Sequence, residues 1–147
     1  MKIKVTGIKE TERFLIAERD RIIKEFLEEI NALALKVVTA VRNGEVSSWD
    51  DHTERLRSSV GYVLMMDGVK RHENFQTVGD GGEGTATGRE FAYEIAARYP
   101  SKGIVLVIVA GMEYASYVEA IEGKNVLAGG ELLTMDLLRD LTARWNR

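Results

Sequence analysis

No cysteine occurs anywhere in the chain. Disulfide scaffolds and thiol nucleophiles are therefore excluded, and nothing calls for an oxidising compartment. The two histidines, His52 and His72, are too few for a zinc site without cysteine, and His72-Glu73 lacks the second histidine of the HExxH pattern. Both read as surface or turn residues. Pro100 is the only proline. The longest apolar run, Ile104–Ala110, falls far short of the roughly 20 residues that cross a bilayer. The opening MKIKVTGIKE has no apolar signal segment. Neither charge dominates: 20 Lys and Arg against 23 Asp and Glu leave a net −3, without the basic excess of a nucleic-acid binder. Arg55, Arg57, Lys70 and Arg71 lie close in sequence and leave a local basic patch open. No cofactor, metal, membrane or nucleic-acid partner is expected.

What is present is ordinary globular material. The 147 residues are 45% hydrophobic and 29% charged, enough for one domain, 1–147, with its own core. Residues 2–5 alternate like a short edge strand. Leu15, Ile22, Phe26, Ile30, Leu33, Val37 and Val41 then recur at helical steps and predict a helix over 11–42, about 48 Å long at roughly 1.5 Å per residue. A second row, Ile23, Leu27, Ala34 and Val38, broadens its apolar stripe. Asp20 with Lys24 and Arg21 with Glu25 sit four apart on the polar face, and Asn43-Gly44 supplies a stop. Ser47 or Ser48 reads as the cap of a short helix reaching Ser59, with Asp50 and Asp51 in its first turn.

Two extended segments, 60–66 and 69–78, flank Asp67-Gly68, a strong hairpin signal. The second is polar enough for a sheet edge or a protruding hairpin. Residues 79–88 (GDGGEGTATG) hold Gly79, Gly81, Gly82, Gly84 and Gly88 and read as a mobile loop. Thr87 and Glu90 form a capping box that predicts a helix starting at Gly88 or Arg89, carrying Phe91, Ile95 and Tyr99 on one face and ending before Pro100. Ile104–Ala110 is β-branched and continuously apolar, as a central, fully buried strand is. Residues 114–121 fit a strand or a helix, and the spacing of Tyr114, Tyr117, Val118 and Ile121 modestly favours the helix. A last helix over 131–145 carries Leu133, Leu137, Leu141 and Trp145 on one stripe, widened by Leu138. The pattern predicts an α+β fold: a long N-terminal helix and a C-terminal helix packed on a mainly antiparallel sheet with a protruding hairpin.

No segment announces catalysis. Gly79, Gly81 and Gly84 match G-x-G-x-x-G, but a polar segment precedes them, Asp80 and Glu83 put negative charge where a pyrophosphate would sit, and no Lys-Ser or Lys-Thr follows. Ser58-Ser59 has no G-x-S-x-G elbow and no evident base. Glu28-Glu29 and Asp50-Asp51 are adjacent pairs that point apart on a helix. Trp49, Tyr114 and Tyr117 are aromatic residues of a kind enriched at interfaces, and also of a kind that fills cores.

Several segments, in order, resemble a family of phage neck and tail-component proteins of long-tailed phages. Val5-Thr6-Gly7-Ile8 matches its V-x-G-hydrophobic step before a long helix. Residues 53–60, TERLRSSV, resemble its T-G-x-L-R-x-S-I motif, with Glu54 where the family has glycine. Residues 114–119, YASYVE, resemble its Y-A-x-Y-V-E-x-G motif, continued here as AIEG. A C-terminal helix closes both patterns. The resemblance implies a non-enzymatic virion protein, made in the host cytoplasm, that assembles with copies of itself as a ring at the head–tail junction or in tail completion, against neighbouring neck and tail proteins. It singles out Arg55, Leu56, Arg57, Tyr114, Tyr117 and Glu119 as interface or structural positions, and an arginine–Glu119 pair between the two motifs as an anchor. Two other readings remain: a small cytoplasmic enzyme using 79–88 as a substrate lid, and a bacterial adaptor or regulator dimeric through its long helix.

Overall fold

A computed structural model describes residues 7–45, 54–110 and 128–146. The expected strand at 2–5, the caps at Ser47, Ser48, Asp50 and Asp51, and the segment 114–121 lie outside them. The chain divides into two units, Met1–Ile30 and Asn31–Arg147, and the boundary falls within the first helix.

That helix, α1, spans Ile8–Arg42 and starts three residues earlier than its periodicity predicts. Gly7, with φ +89, turns the chain so that its carbonyl accepts both the Thr11 amide (3.0 Å) and the Thr11 hydroxyl (2.9 Å). At the other end the Gly44 amide donates to Val41 (3.2 Å) and the Glu45 amide to Ala40 (3.0 Å). This is a Schellman stop around the left-handed Gly44, as Asn43-Gly44 predicts. Of the two expected ion pairs, Arg21–Glu25 forms at 2.5 Å; Asp20 bonds Arg19 instead. In the first unit Leu27 and Ile30 are buried, whereas Leu15 and Ile22 of the predicted stripe are exposed.

The second unit contains a three-stranded antiparallel sheet of order β2-β1-β3, formed by β1 (Val60–Met66), β2 (Val69–Phe75) and β3 (Ile104–Ala110). Asp67 (φ 51) and Gly68 (φ 78) make the two-residue hairpin turn with both central residues left-handed, as Asp-Gly predicts. The Asp67 amide donates to the Gly103 carbonyl (2.9 Å) and the Asp67 carboxylate accepts the Gly103 amide (2.8 Å), which clasps the turn to the chain entering β3. Among the described residues β2 is an edge strand, and it ends at Phe75, short of the predicted Val78. Its register slips between Leu64 and Met65, which face His72 and Lys70, so Arg71 is the extra residue of a bulge. The bulge bends an edge that would otherwise invite further pairing.

The strand read as central lies, among the described residues, at the edge of the sheet. Among the described residues β3 has one neighbour, β1, and Ile104 is exposed. β1 takes the middle, with Val60, Tyr62, Val63 and Leu64 buried. A continuous apolar run fits either place, and only pairing decides between them. One face of the sheet presents Val60, Tyr62 and Leu64. The 31–42 segment of α1 is tied to this face by Tyr62, whose hydroxyl donates to Asn31 Oδ1 (2.5 Å), and by Arg42, which donates to the Val60 carbonyl. On the opposite face Val63, Val107 and Val109 form a cluster with Ala92 of the helix described next, joined by Met65, Phe75, Tyr93, Ile95 and Val105.

The segment 79–88 corrects its reading as a mobile loop. From Gly82 it is helix: α3 runs Gly82–Ala96, following a one-turn helix α2 at Arg55–Ser59. The capping box at Thr87 and Glu90 is inside the helix, and the N-cap is Gly81, without a side-chain cap bond. Its packed face is not Phe91 and Tyr99, which are exposed, but Gly84, Gly88 and Ala92, four residues apart and buried. A Cβ on Gly84 would stand 2.0 Å from the Arg55 carbonyl, and one on Gly88 2.3 Å from the Ser59 carbonyl. Glycine costs a helix about 1 kcal/mol per residue relative to alanine, and backbone packing against α2 that only glycine permits outweighs that cost here. The last helix, α4, spans Ala128–Trp145. Leu141 is buried and Leu133, Leu137 and Trp145 half-buried, while Leu138 is exposed and does not widen the stripe.

Alanine substitutions along α3 should therefore differ in sign. Gly84→Ala and Gly88→Ala are each expected to destabilise by about 2–3 kcal/mol through overpacking. Gly82→Ala, with nothing within 4 Å of its added Cβ, should be neutral or stabilise by up to about 1 kcal/mol. Urea unfolding midpoints of the three variants check this.

Candidate functional site

Arg55, Leu56 and Arg57 lie on α2, and the structure shows how the surrounding motif is held. Glu54 enters α2 with φ 60, ψ −1, in the left-handed region, which costs a residue with a Cβ about 1–2 kcal/mol. Its carbonyl accepts the Ser58 amide (3.1 Å) and its carboxylate accepts the Asp80 amide (3.1 Å). Leu56 is 1% exposed and belongs to the core. The Ser58 hydroxyl accepts the Val78 amide (2.8 Å), and the Ser59 hydroxyl donates to the Leu56 carbonyl (2.7 Å). Both serines are committed to backbone, so the structure gives them a local task other than nucleophilic attack. Thr77 and Thr85 share a hydrogen bond of 2.7 Å across the same junction.

The glycines of the G-x-G-x-x-G match serve this junction. Gly79 is left-handed (φ +51) beside the Glu54 carboxylate, and a Cβ on Gly81 would meet Ser58 Oγ and the Glu54 carbonyl. The helix start that a pyrophosphate would need is served by the chain's own acids: Glu54 on the Asp80 amide and Glu83 in the first turn. The motif's outward charge is Arg55, which pairs with Glu83 at 3.2 Å, both about half exposed. Arg57 is half-buried.

The suspected basic patch is split. Arg55 and Arg57 precede the first residue of β1, while Lys70 and Arg71 lie beside its last, a strand length of about 20 Å away. Lys70 is paired with Glu73 (3.5 Å). Tyr114, Tyr117 and Glu119, and with them the proposed arginine–Glu119 anchor, lie outside the described residues, as do Trp49 and His52. His72 is half-buried on β2, opposite Leu64.

A cluster with no sequence signal lies between β2 and α3. The Tyr93 hydroxyl donates to Glu73 Oε2 (2.8 Å), Arg89 Nε stands 3.8 Å from the same oxygen, and the Arg89 guanidinium lies 5.6 Å from the centroid of the Phe75 ring. Burial, then the hydrogen bond and charge of Glu73, push the Tyr93 phenol up to about 12, against the opposing effect of Arg89. Arg89 and Tyr93 are one helical turn apart, which sequence displays, but their partner comes from a strand that only the fold brings alongside. The cluster links α3 to β2. Among the described residues no group of three or more His, Asp or Glu could hold a metal, and no helix is long and apolar enough to cross a membrane.

Two outcomes follow from this geometry. Glu54→Gly removes the left-handed strain and the bond to Asp80 together, so it should change stability by less than about 1 kcal/mol, while Glu54→Ala loses the bond without that relief and should be less stable than the glycine variant by about 1–2 kcal/mol. Urea melts of the pair read the difference. For Tyr93 the folded protein favours the neutral phenol. That contribution is fully present below pH about 10, where a free tyrosine is neutral, and is lost as pH rises towards 12. Stability measured across pH 10–12 should fall less steeply in Tyr93→Phe than in the parent.

Comparison of the chain with protein-family models, with curated proteins and with solved structures finds no match in any of the three.

Proposed function

We propose that the chain is a non-catalytic structural subunit of a tailed phage or prophage, a virion component made in the host cytoplasm that assembles as a ring at the head–tail junction or in tail completion. The observation that carries this reading is the backbone of Glu54. It stands where the resembled family has glycine, and it adopts φ 60, a conformation glycine enters freely and other residues rarely do. The sequence departs from the motif there, and the backbone has a left-handed conformation for which glycine is the default residue. Around it Leu56 is buried in the core, Ser58 and Ser59 bond neighbouring backbone, and Arg55 is left at the surface.

The rival enzyme reading took residues 79–88 as a loop closing over a substrate, and from Gly82 that segment is helix. Ring formation needs head-to-tail contacts between two different patches of each copy, closing by rotation. Negative-stain imaging of the purified chain after light-scattering chromatography over a concentration series tests this. A closed ring is the expected species. A monomer or a closed dimer as the largest species at every concentration would sink the ring.

A further inference from the structure

The N-terminal part of α1 carries large apolar side chains in water. Ile8, Leu15 and Ile22 are 61%, 60% and 40% exposed and recur every seven residues, so they fall on one line along the helix. Glu12 and Arg19 fill the steps between them, giving a row at 8, 12, 15, 19 and 22 with alternating intervals of four and three. That is the spacing of a two-helix seam. Ile8, Glu12, Leu15 and Arg19 also line one open groove.

The two charged members of the row decide its partner. Glu12 and Arg19 are opposite in sign and seven residues apart, about 10 Å along the axis, so they do not reach each other within one helix. Two copies side by side in parallel would set Glu12 on Glu12 and Arg19 on Arg19, which is repulsive. Two antiparallel copies, with a two-fold axis between Leu15 and Ile16, set Glu12 of each against Arg19 of the other. The same register places Leu15 against Ile16 and Ile8 against Ile23, and brings Lys9 and Asp20, on the same edge of the row, within two residues of level. In the free chain Arg19 rests on Asp20 at 3.0 Å with both more than three-fifths exposed, a pair that is released at little cost.

We propose that this part of α1 is a self-association element that pairs antiparallel with the same segment of a second copy. An isologous pair closes at two copies, so the proposal does not rest on the ring. Sedimentation of the full chain over a concentration series tests it, using the parent, Glu12→Arg and the double swap Glu12→Arg with Arg19→Glu, each confirmed folded by circular dichroism. The parent should self-associate through this pair, as a dimer or as paired copies within a ring. Glu12→Arg sets like charges face to face and should weaken the dimer at least about tenfold, and the double swap should restore it. Because the chain has no cysteine, a single introduced cysteine reports register. Leu15→Cys should oxidise to a covalent dimer, whereas Ile8→Cys should not, its counterpart lying about 22 Å away along the axis. A parent monomeric throughout, a dimer insensitive to Glu12→Arg, or Ile8→Cys linking as readily as Leu15→Cys overturns the proposal. A ring indifferent to Glu12→Arg upholds the ring and overturns the pairing; a charge-sensitive dimer without a ring does the reverse.

Discussion

Arg42 is the joint on which the second unit depends. Only 5% exposed, its guanidinium donates to the Val60 carbonyl from Nε and Nη2 (3.1 and 2.7 Å), to Asn74 Oδ1 from Nη1 (2.8 Å) and to the Asn74 carbonyl (3.3 Å). One side chain thus holds the last turn of α1, the first residue of β1 and the end of β2. Its partners among the described residues are neutral oxygens, and burial pushes its pKa below the ordinary arginine value, with Tyr62 opposing. A buried charge is tolerated only when its donors are satisfied. The rigid fork of arginine reaches three acceptors on two strands at once, which the point charge of lysine does not. Tyr62 and Asn31 make the second tie about 16 Å further up the helix, so the segment is fixed to β1 at two points.

From β1 the constraint passes to the other face of the sheet. α2 runs directly into β1, and α3 is laid on α2 with glycine Cα atoms against the carbonyls of Arg55 and Ser59. The closeness of that approach seats Ala92 among Val63, Val107 and Val109. Glu54 is strained for the same reason: the chain must turn into α2 just where its carboxylate is needed by the Asp80 amide. The motif that resembles phage neck proteins is thereby a packing device, with its exposed arginine balanced by Glu83.

Local sequence sufficed wherever a structure is closed by neighbouring residues. Asp67-Gly68 dictated its turn and Asn43-Gly44 its helix stop, because both depend on which residues tolerate positive φ. The periodicity of 31–42 identified a buried helical face, and the period of 131–145 a last helix. The same periodicity did not separate Leu15 and Ile22, which are exposed, from Val37 and Val41, which are buried, since an apolar stripe says that a face seeks a partner and not whether one copy supplies it.

Tertiary structure alone decided three things. It turned GDGGEGTATG from an apparent loop into the start of α3, since the intrinsic cost of glycine in a helix is outweighed only where another backbone lies close enough to exclude a Cβ. It placed β1, not the more apolar β3, in the middle of the described sheet, because strand order is a property of pairing. It also assembled Arg42 with Val60 and Asn74, and Tyr93 with Glu73 and Arg89, from residues 16 to 32 positions apart. The sequence by itself determined the α+β class, the turns and the helix stop, all set by short-range backbone preference. Which polar groups share a buried site was left to the fold, because long-range hydrogen bonds leave no periodic trace in the chain.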